Sequence, residues 1–289
     1  MRVLILSMLV LASFCAEMLV TKEYVQHLRR AVSWEVEDYE TNIFKGWTTE
    51  EAKDFLGLRS QELDESYPQH IPSTDLPKSL NWAGADCIHE VRNQGNCGSC
   101  WAFAAAGMLT DRCCIHAQDH GWLAPQELVS CERSSHGCSG GYMSTPISYM
   151  QSHGGLVPEA CFPYEAKNLP CPNKCVDGKD WSSSHVCKCN QAQGCSGVSS
   201  MKSCLKSGPV TYSFSVCQSF FSYRSGIYHC DCHSYIGGHA VLAVGYSDDP
   251  ECHFITKNSW SVAWGDQGYF KMACSTCGLS GGMMCGTVS

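Results

Sequence analysis

The stretch Asn93-Gln94-Gly95-Asn96-Cys97-Gly98-Ser99-Cys100-Trp101-Ala102-Phe103 constrains this chain more than any other part of it. The alanine-rich apolar run from Trp101 to Leu109 predicts a buried helix, and Cys100 stands at its start. A helix N-terminus carries partial positive charge, which biases a thiol there toward thiolate, the nucleophilic form. Gln94 precedes the cysteine by six residues, with small, flexible residues between them. Cys97-x-x-Cys100 also has the form of a reducible disulfide, but no strand–helix–strand pattern of the thioredoxin-like kind surrounds it.

Two distant blocks complete a set. Gly237-Gly238-His239-Ala240-Val241 places a histidine 139 residues after Cys100, and Lys257-Asn258-Ser259-Trp260 follows with an asparagine 19 residues later. Between them and the cysteine lie Gln126-Glu127-Leu128-Val129-Ser130-Cys131 and Gly137-Cys138-Ser139-Gly140-Gly141-Tyr142. These four ordered blocks resemble those of papain-like cysteine proteases. The resemblance implies an α+β, two-lobe fold, with a helical left lobe, a β-barrel-like right lobe and the cleft between them.

It also assigns roles. Cys100 is implied as nucleophile, and His239 as its thiolate–imidazolium partner and later proton donor. Asn258 would orient the imidazole, and Trp260 would shield that contact from water. Gln94 is implied in the oxyanion hole with the backbone N–H of Cys100. Gly140, Gly141, Tyr142, Gly238, Ala240 and Gly282 would line the substrate cleft, with Gly141 pairing to substrate backbone. Alone, each is a bland feature: a surface histidine, a loop glutamine, a turn, a strand end.

From about Leu76 onward the chain looks most like the cathepsin B branch, through Asp111-Arg112-Cys113-Cys114-Ile115-His116 and Cys161-Phe162-Pro163-Tyr164. That branch implies the disulfides Cys87–Cys114, Cys97–Cys138, Cys131–Cys171 and Cys161–Cys175. The short segment Cys171-Pro172-Asn173-Lys174-Cys175 is most like diplomonad protist enzymes and has no adjacent pair of histidines. Cathepsin B uses such a pair to grip a substrate's C-terminal carboxylate, so an endopeptidase with little dipeptidyl carboxypeptidase activity is expected. Gly282 aligns where cathepsin B has a glutamate, which predicts an apolar P2 preference walled by Tyr142 and Ala240.

Composition sets the surroundings. The 289 residues suffice for a large core. Val3 to Ala12 is an apolar run behind Arg2, too short to span a bilayer, and predicts a secretory signal peptide over residues 1–15. A lipoprotein site at Cys15 fits less well, because bulky Phe14 precedes it. The 22 cysteines suit an oxidising compartment, and removing Cys15 and Cys100 leaves an even number. The twelve beyond the family's pattern are Cys113, Cys187, Cys189, Cys195, Cys204, Cys217, Cys230, Cys232, Cys252, Cys274, Cys277 and Cys285.

Residues 16–75 hold 13 Asp/Glu against 6 Lys/Arg, whereas the rest of the chain is nearly balanced. This charge step near residue 76 marks a boundary. No basic patch suggests nucleic acid. Tyr24, Leu28, Ala31 and Val32 fit one helical face, Thr48-Thr49-Glu50-Glu51 reads as a helix start, and Trp34, Ile43, Phe44, Trp47, Phe55 and Leu56 offer bulk for docking. Pro68, Pro72 and Pro77 punctuate an exposed linker. The resemblance implies a propeptide at 16–75, cut near Ser73 to Pro77, and a mature peptidase at 76–289. An independent small helical domain is the alternative for the first part.

Asn168 to Ser203 reads as disulfide-stapled loop, and Val210–Val216, Ala240–Val244, His253–Thr256 and Gly268–Met272 read as strands. Expected partners are peptide and protein substrates, the chain's own propeptide and cystatin-like inhibitors. The protein is expected to be a monomer without cofactor or metal, in a lysosome-like or vacuolar compartment or secreted. Two other classes fit parts of the sequence. One is a catalytically dead papain-like binder, which would lack Cys100, His239 or Gln94. The other is a metal binder using Cys187/Cys189, Cys230/Cys232 and Cys274/Cys277.

Overall fold

The computed structural model describes residues 16–59, 67–230, 234–279 and 282–289. The expected signal peptide and Cys232 lie outside the described residues. The N-terminal part forms α1 (Lys22–Ala31), a short strand β1 (Glu35–Val36) and α2 (Thr49–Phe55). The start read at Thr48 is a reciprocal cap: Thr48 Oγ1 accepts from Glu51 N–H while the Glu51 carboxylate accepts from Thr48 N–H.

Then follow β2 (Ser79–Asn81) and three helices: α3 (Cys100–His116), α4 (Pro125–Cys131) and α5 (Thr145–His153). Every residue of α3 from Cys100 to Cys113 is buried. A helix apolar all round must be enclosed by other elements. Here α4 and α5 cover one side, and strands of the second lobe cover the other.

The second lobe comprises β3 (Cys189–Cys195), α6 (Gly197–Leu205), β4 (Val210–Cys217), β5 (Tyr223–Ser225), β6 (Ile227–Tyr228), β7 (Tyr235–Ser247), β8 (His253–Lys257), β9 (Tyr269–Ala273) and β10 (Gly282–Val288). Among the described residues an eight-stranded sheet runs β3-β10-β4-β7-β8-β9-β6, with β2 paired to β7. The α+β, two-lobe expectation holds, but the sheet is an open path rather than a closed barrel. The four predicted strands appear as β4, β7, β8 and β9.

The loop expected over Asn168–Ser203 is corrected in its second half, where β3 pairs antiparallel with the C-terminal β10 and α6 begins. The buried positions of β3 are Cys189, Ala192, Gly194 and Cys195, so cysteine does there what aliphatic side chains do in ordinary strands.

The N-terminal part has no core of its own. Leu19, Val25, Leu28, Trp34, Phe44, Phe55 and Leu56 share one apolar cluster with Phe220, Phe221, Phe254 and Trp260 of the second lobe. Ile43, expected among the docking residues, is instead 40 % exposed. β1 adds to β5, and Asn42 Nδ2 donates to Phe221 O at 3.1 Å.

The proline-punctuated linker is mostly exposed but partly tied down. His70 N–H donates to Gly194 O at 2.8 Å, its Nε2 lies 2.9 Å from Ser203 Oγ, and Ser73 N–H donates to that same hydroxyl. Ser196 Oγ donates to Gln69 Oε1. This strap holds residues 69–73 against β3 and α6.

Candidate active site

Cys100 begins α3, and its thiol is buried. Among the described residues it is the free cysteine. Burial pushes the thiol up to about 11, while the backbone N–H groups of Ala240, Trp101, Gly57 and Cys100 pull the other way. The bias toward thiolate read from the helix start is therefore overridden in this covered state, because desolvation penalises the charged form more than the helix end favours it.

His239 sits on β7 opposite Phe214 of β4, with no exposed surface. Its Nε2 lies 2.8 Å from Asn258 Oδ1, just past the end of β8. A carbonyl oxygen accepts, so Nε2 carries the proton. Nδ1 is left as the basic nitrogen, with no hydrogen-bond partner among the described residues. Burial lowers this imidazole to about 4 despite the Asn258 bond. The Trp260 ring lies 4.7 Å from the imidazole and stacks on Phe221 at 5.2 Å, which walls the His239–Asn258 contact from water.

Gln94 is fully buried. Its Oε1 accepts from Ser259 Oγ at 2.7 Å, which fixes the amide's orientation. Its Nε2 donates to Cys97 O at 2.9 Å and to Phe55 O of the N-terminal segment at 3.1 Å. A peptide carbonyl from the chain itself thus rests on the donor expected to meet an oxyanion.

The same segment continues through the cleft. Gly141 N–H donates to Gly57 O at 2.8 Å, and Arg59 N–H donates to Gly141 O at 2.8 Å, a parallel pairing centred on Leu58. Leu58 N–H reaches Gly238 O at 3.3 Å, and the Arg59 guanidinium donates to Ser139 O. Close approach explains the glycines. A Cβ on Gly140 would stand 2.6 Å from Gly57 O, one on Gly141 would stand 2.5 Å from the Trp101 ring, and one on Gly238 would press on Leu58. Tyr142 is half-buried beside this pairing, and Ala240 is buried next to His239. Gly282 is a β10 residue whose side-chain direction is filled by Thr211 O at 2.3 Å, so a larger side chain has no room there.

The structure joins Cys87–Cys114, Cys97–Cys138, Cys131–Cys171 and Cys161–Cys175. It also joins Cys113–Cys187, Cys189–Cys285, Cys195–Cys204, Cys230–Cys277 and Cys252–Cys274. Of the cysteines considered as metal ligands, Cys187, Cys189, Cys230, Cys274 and Cys277 are bonded to other sulfurs, which removes the thiolates a metal would need. His185, the histidine nearest in sequence to the short segment at 171–175, places Nε2 2.7 Å from the buried Glu127 carboxylate.

Sequence reasoning missed Ser259 as the support of Gln94, Tyr164 and Ser99 beside it, and Gly57 to Arg59 in the cleft. Ser259, Ser99 and Tyr164 all lay inside segments already singled out, but their contacts join different segments, and Gly57 to Arg59 carry no local pattern.

Comparison with known proteins gives the same picture. Residues 76–287 match the family model described as papain family cysteine protease. Cathepsin B-like CP3 of Giardia intestinalis is 35% identical over 223 residues, covering 72% of this chain and 74% of that protein. Procathepsin B S9 from Trypanosoma congolense shares the fold with a TM-score of 0.81 over 94% of this chain and 99% of that one, at 24% identity. Procathepsin L2 proteinase from the larval midgut of Tenebrio molitor is 28% identical, with a TM-score of 0.74 over 91% and 88% of the two chains.

Proposed function

Since this chain belongs to the papain family of cysteine proteases, and is a cathepsin B-like peptidase, we propose that it is a zymogen of an endopeptidase. Its parts would be a signal peptide at 1–15, a propeptide at 16–75 and a mature enzyme at 76–289. The observation that carries the reading is the passage of Gly57 to Arg59 along Gly141 and over Cys100, with Phe55 O on the Gln94 amide. A segment that fills the cleft and occupies its donors inhibits by position.

Once it leaves, His239 Nδ1 takes the Cys100 proton and the thiolate attacks the scissile carbonyl. The new oxyanion is held by Gln94 Nε2 and the backbone N–H of Cys100. Imidazolium, oriented by Asn258, protonates the departing amine and leaves an acyl-enzyme. Water activated by His239 then releases the acid and restores the thiol.

The segment at 171–175 is short, and His185 is bound to Glu127. Within 171–175 the basic side chain is Lys174, a single flexible ammonium in place of two fixed imidazoles. Substrates would run through in both directions, cut at internal bonds, in a lysosome-like or vacuolar compartment or outside the cell.

Two measurements test this. Processed protein, but not Cys100→Ala, should cleave a fluorogenic peptide and take up a thiol-directed epoxide. A peptide with a free C-terminus and its amidated twin should be cut equally well; stepwise release of dipeptides from the free acid alone would overturn the endopeptidase reading.

A further inference from the structure

The hydroxyl of Tyr164 bridges the backbone of Gln94 and the side chain of Ser99, the residue before Cys100. It donates to Gln94 O at 2.7 Å and lies 2.6 Å from Ser99 Oγ. A phenol has one proton, and burial pushes its pKa up to about 12, so that proton stays in place through the working pH range. With it committed to the Gln94 carbonyl, Ser99 is the donor in the second bond. Ser99 is the N-cap residue of α3, where a serine hydroxyl ordinarily accepts an N–H of the first turn. Here it makes no such bond. It is turned toward Tyr164 instead, leaving the Trp101 N–H to face the Cys100 sulfur.

Tyr164 is itself held firmly. Its ring meets Phe103 of α3 edge-on at 4.7 Å, and its backbone N–H donates to Glu159 Oε1 at 2.9 Å. Glu159 pairs in turn with Arg92, two residues before Gln94. One hydroxyl therefore ties the strand-side loop that carries Gln94 to the helix start that carries Cys100.

We propose that Tyr164 is a positioning residue of the oxyanion hole, fixing the Gln94 amide relative to the backbone N–H of Cys100. The proposal rests on the oxyanion role of Gln94. Donors act on an oxyanion only when preorganised, and loss of one outright costs about 10²–10³ in kcat. A donor that is present but loosened should cost about tenfold.

The test uses Tyr164→Phe, which keeps the ring and its packing, in full chain activated by processing and titrated with epoxide to count active sites. Expected are a kcat about tenfold lower, KM within about twofold, and about tenfold weaker binding of a peptide aldehyde, whose adduct with Cys100 places an oxygen in the hole. Alkylation of Cys100 by iodoacetamide forms no oxyanion, so its rate should not change. Ser99→Ala should show the same split. If kcat is unchanged while Gln94→Ala loses it, the positioning role is refuted and the hole stands. If Gln94→Ala keeps wild-type kcat, the oxyanion assignment fails and this proposal with it. If alkylation slows as much as turnover, Tyr164 acts on the thiol, and the proposal is overturned.

Discussion

Replacing Gly57 by alanine should unseat the N-terminal segment and leave the processed enzyme unchanged. A Cβ there would stand 1.7 Å from Gly98 O, 2.1 Å from Gly98 C and 2.6 Å from Gly98 Cα. All three are backbone atoms, so no side-chain rotation relieves the overlap. Gly98 cannot retreat, because its N–H is bonded to Cys138 O and Cys97 beside it is bridged to Cys138. The segment must lift away instead. Lifting breaks the bonds from Gly141 to Gly57, from Arg59 to Gly141 and from Gln94 to Phe55. At about 1 kcal/mol net for each, some ~3 kcal/mol of docking is lost. That corresponds to about 100-fold more time with the cleft open. The assay is labelling of unprocessed full-length chain by a fluorescent iodoacetamide at neutral pH, read from the band at full mass. Gly57→Ala should label about 100-fold faster than wild type, and the two processed enzymes should share one kcat/KM. Equal, slow labelling of both full-length chains would refute the reasoning.

Further outcomes follow from the same geometry. In the covered chain the thiol is pushed up to about 11 and the imidazole down to about 4; both shifts keep the pair uncharged, with the proton on sulfur. Alkylation of the full-length chain should therefore stay slow from about pH 5 to about pH 9 and rise only toward 11, whereas processed enzyme should react by about pH 6; a full-length profile inflecting near 6 would contradict this. Lys257→Met should leave the buried Asp111 carboxylate without the ammonium 2.7 Å from it. His89 Nδ1, 3.2 Å from the same carboxylate, would remain as its partner, so the loss should sit at the low end for a broken buried pair, about 3 kcal/mol, lowering Tm by roughly 6–12 °C in calorimetry. Leu58 lies in the cleft between Gly141 and Gly238, and no carboxylate stands at Gly282. Peptides with Leu or Val at P2 should be cleaved faster than those with Arg, and equal or better cleavage of Arg would show a buried charge partner elsewhere.

What could be read from the sequence was local. A cysteine opening an apolar helix, a histidine between a glycine pair and a strand, and an N-cap threonine three residues before its glutamate all write their physics within a few positions. The strands β4, β7 and β8 announced themselves through apolar and β-branched residues. β3 did not, because its buried positions are filled by cysteine, alanine and glycine and its partner β10 lies about ninety residues away. The state of the thiol was also beyond reach. The helix start argued for thiolate, but burial of the sulfur in the folded chain penalises that charge more, and no motif encodes burial. The metal-binder reading failed for a similar reason: close spacing of Cys187 and Cys189 suggests a shared ligand set, yet their partners are Cys113 and Cys285.

The proposed cut near Ser73 to Pro77 would sever the backbone but not the strap. His70 would still be held by Gly194 and Ser203, and Leu58 would still lie between Gly141 and Gly238. Two weak footholds on one chain hold far better than either alone, because release of one leaves the other keeping the local concentration high. An enzyme cut there would therefore begin life with its inhibitor on board. Its first activity should follow dilution, or digestion of the segment by neighbouring molecules, and lag behind the appearance of the shortened chain on a gel.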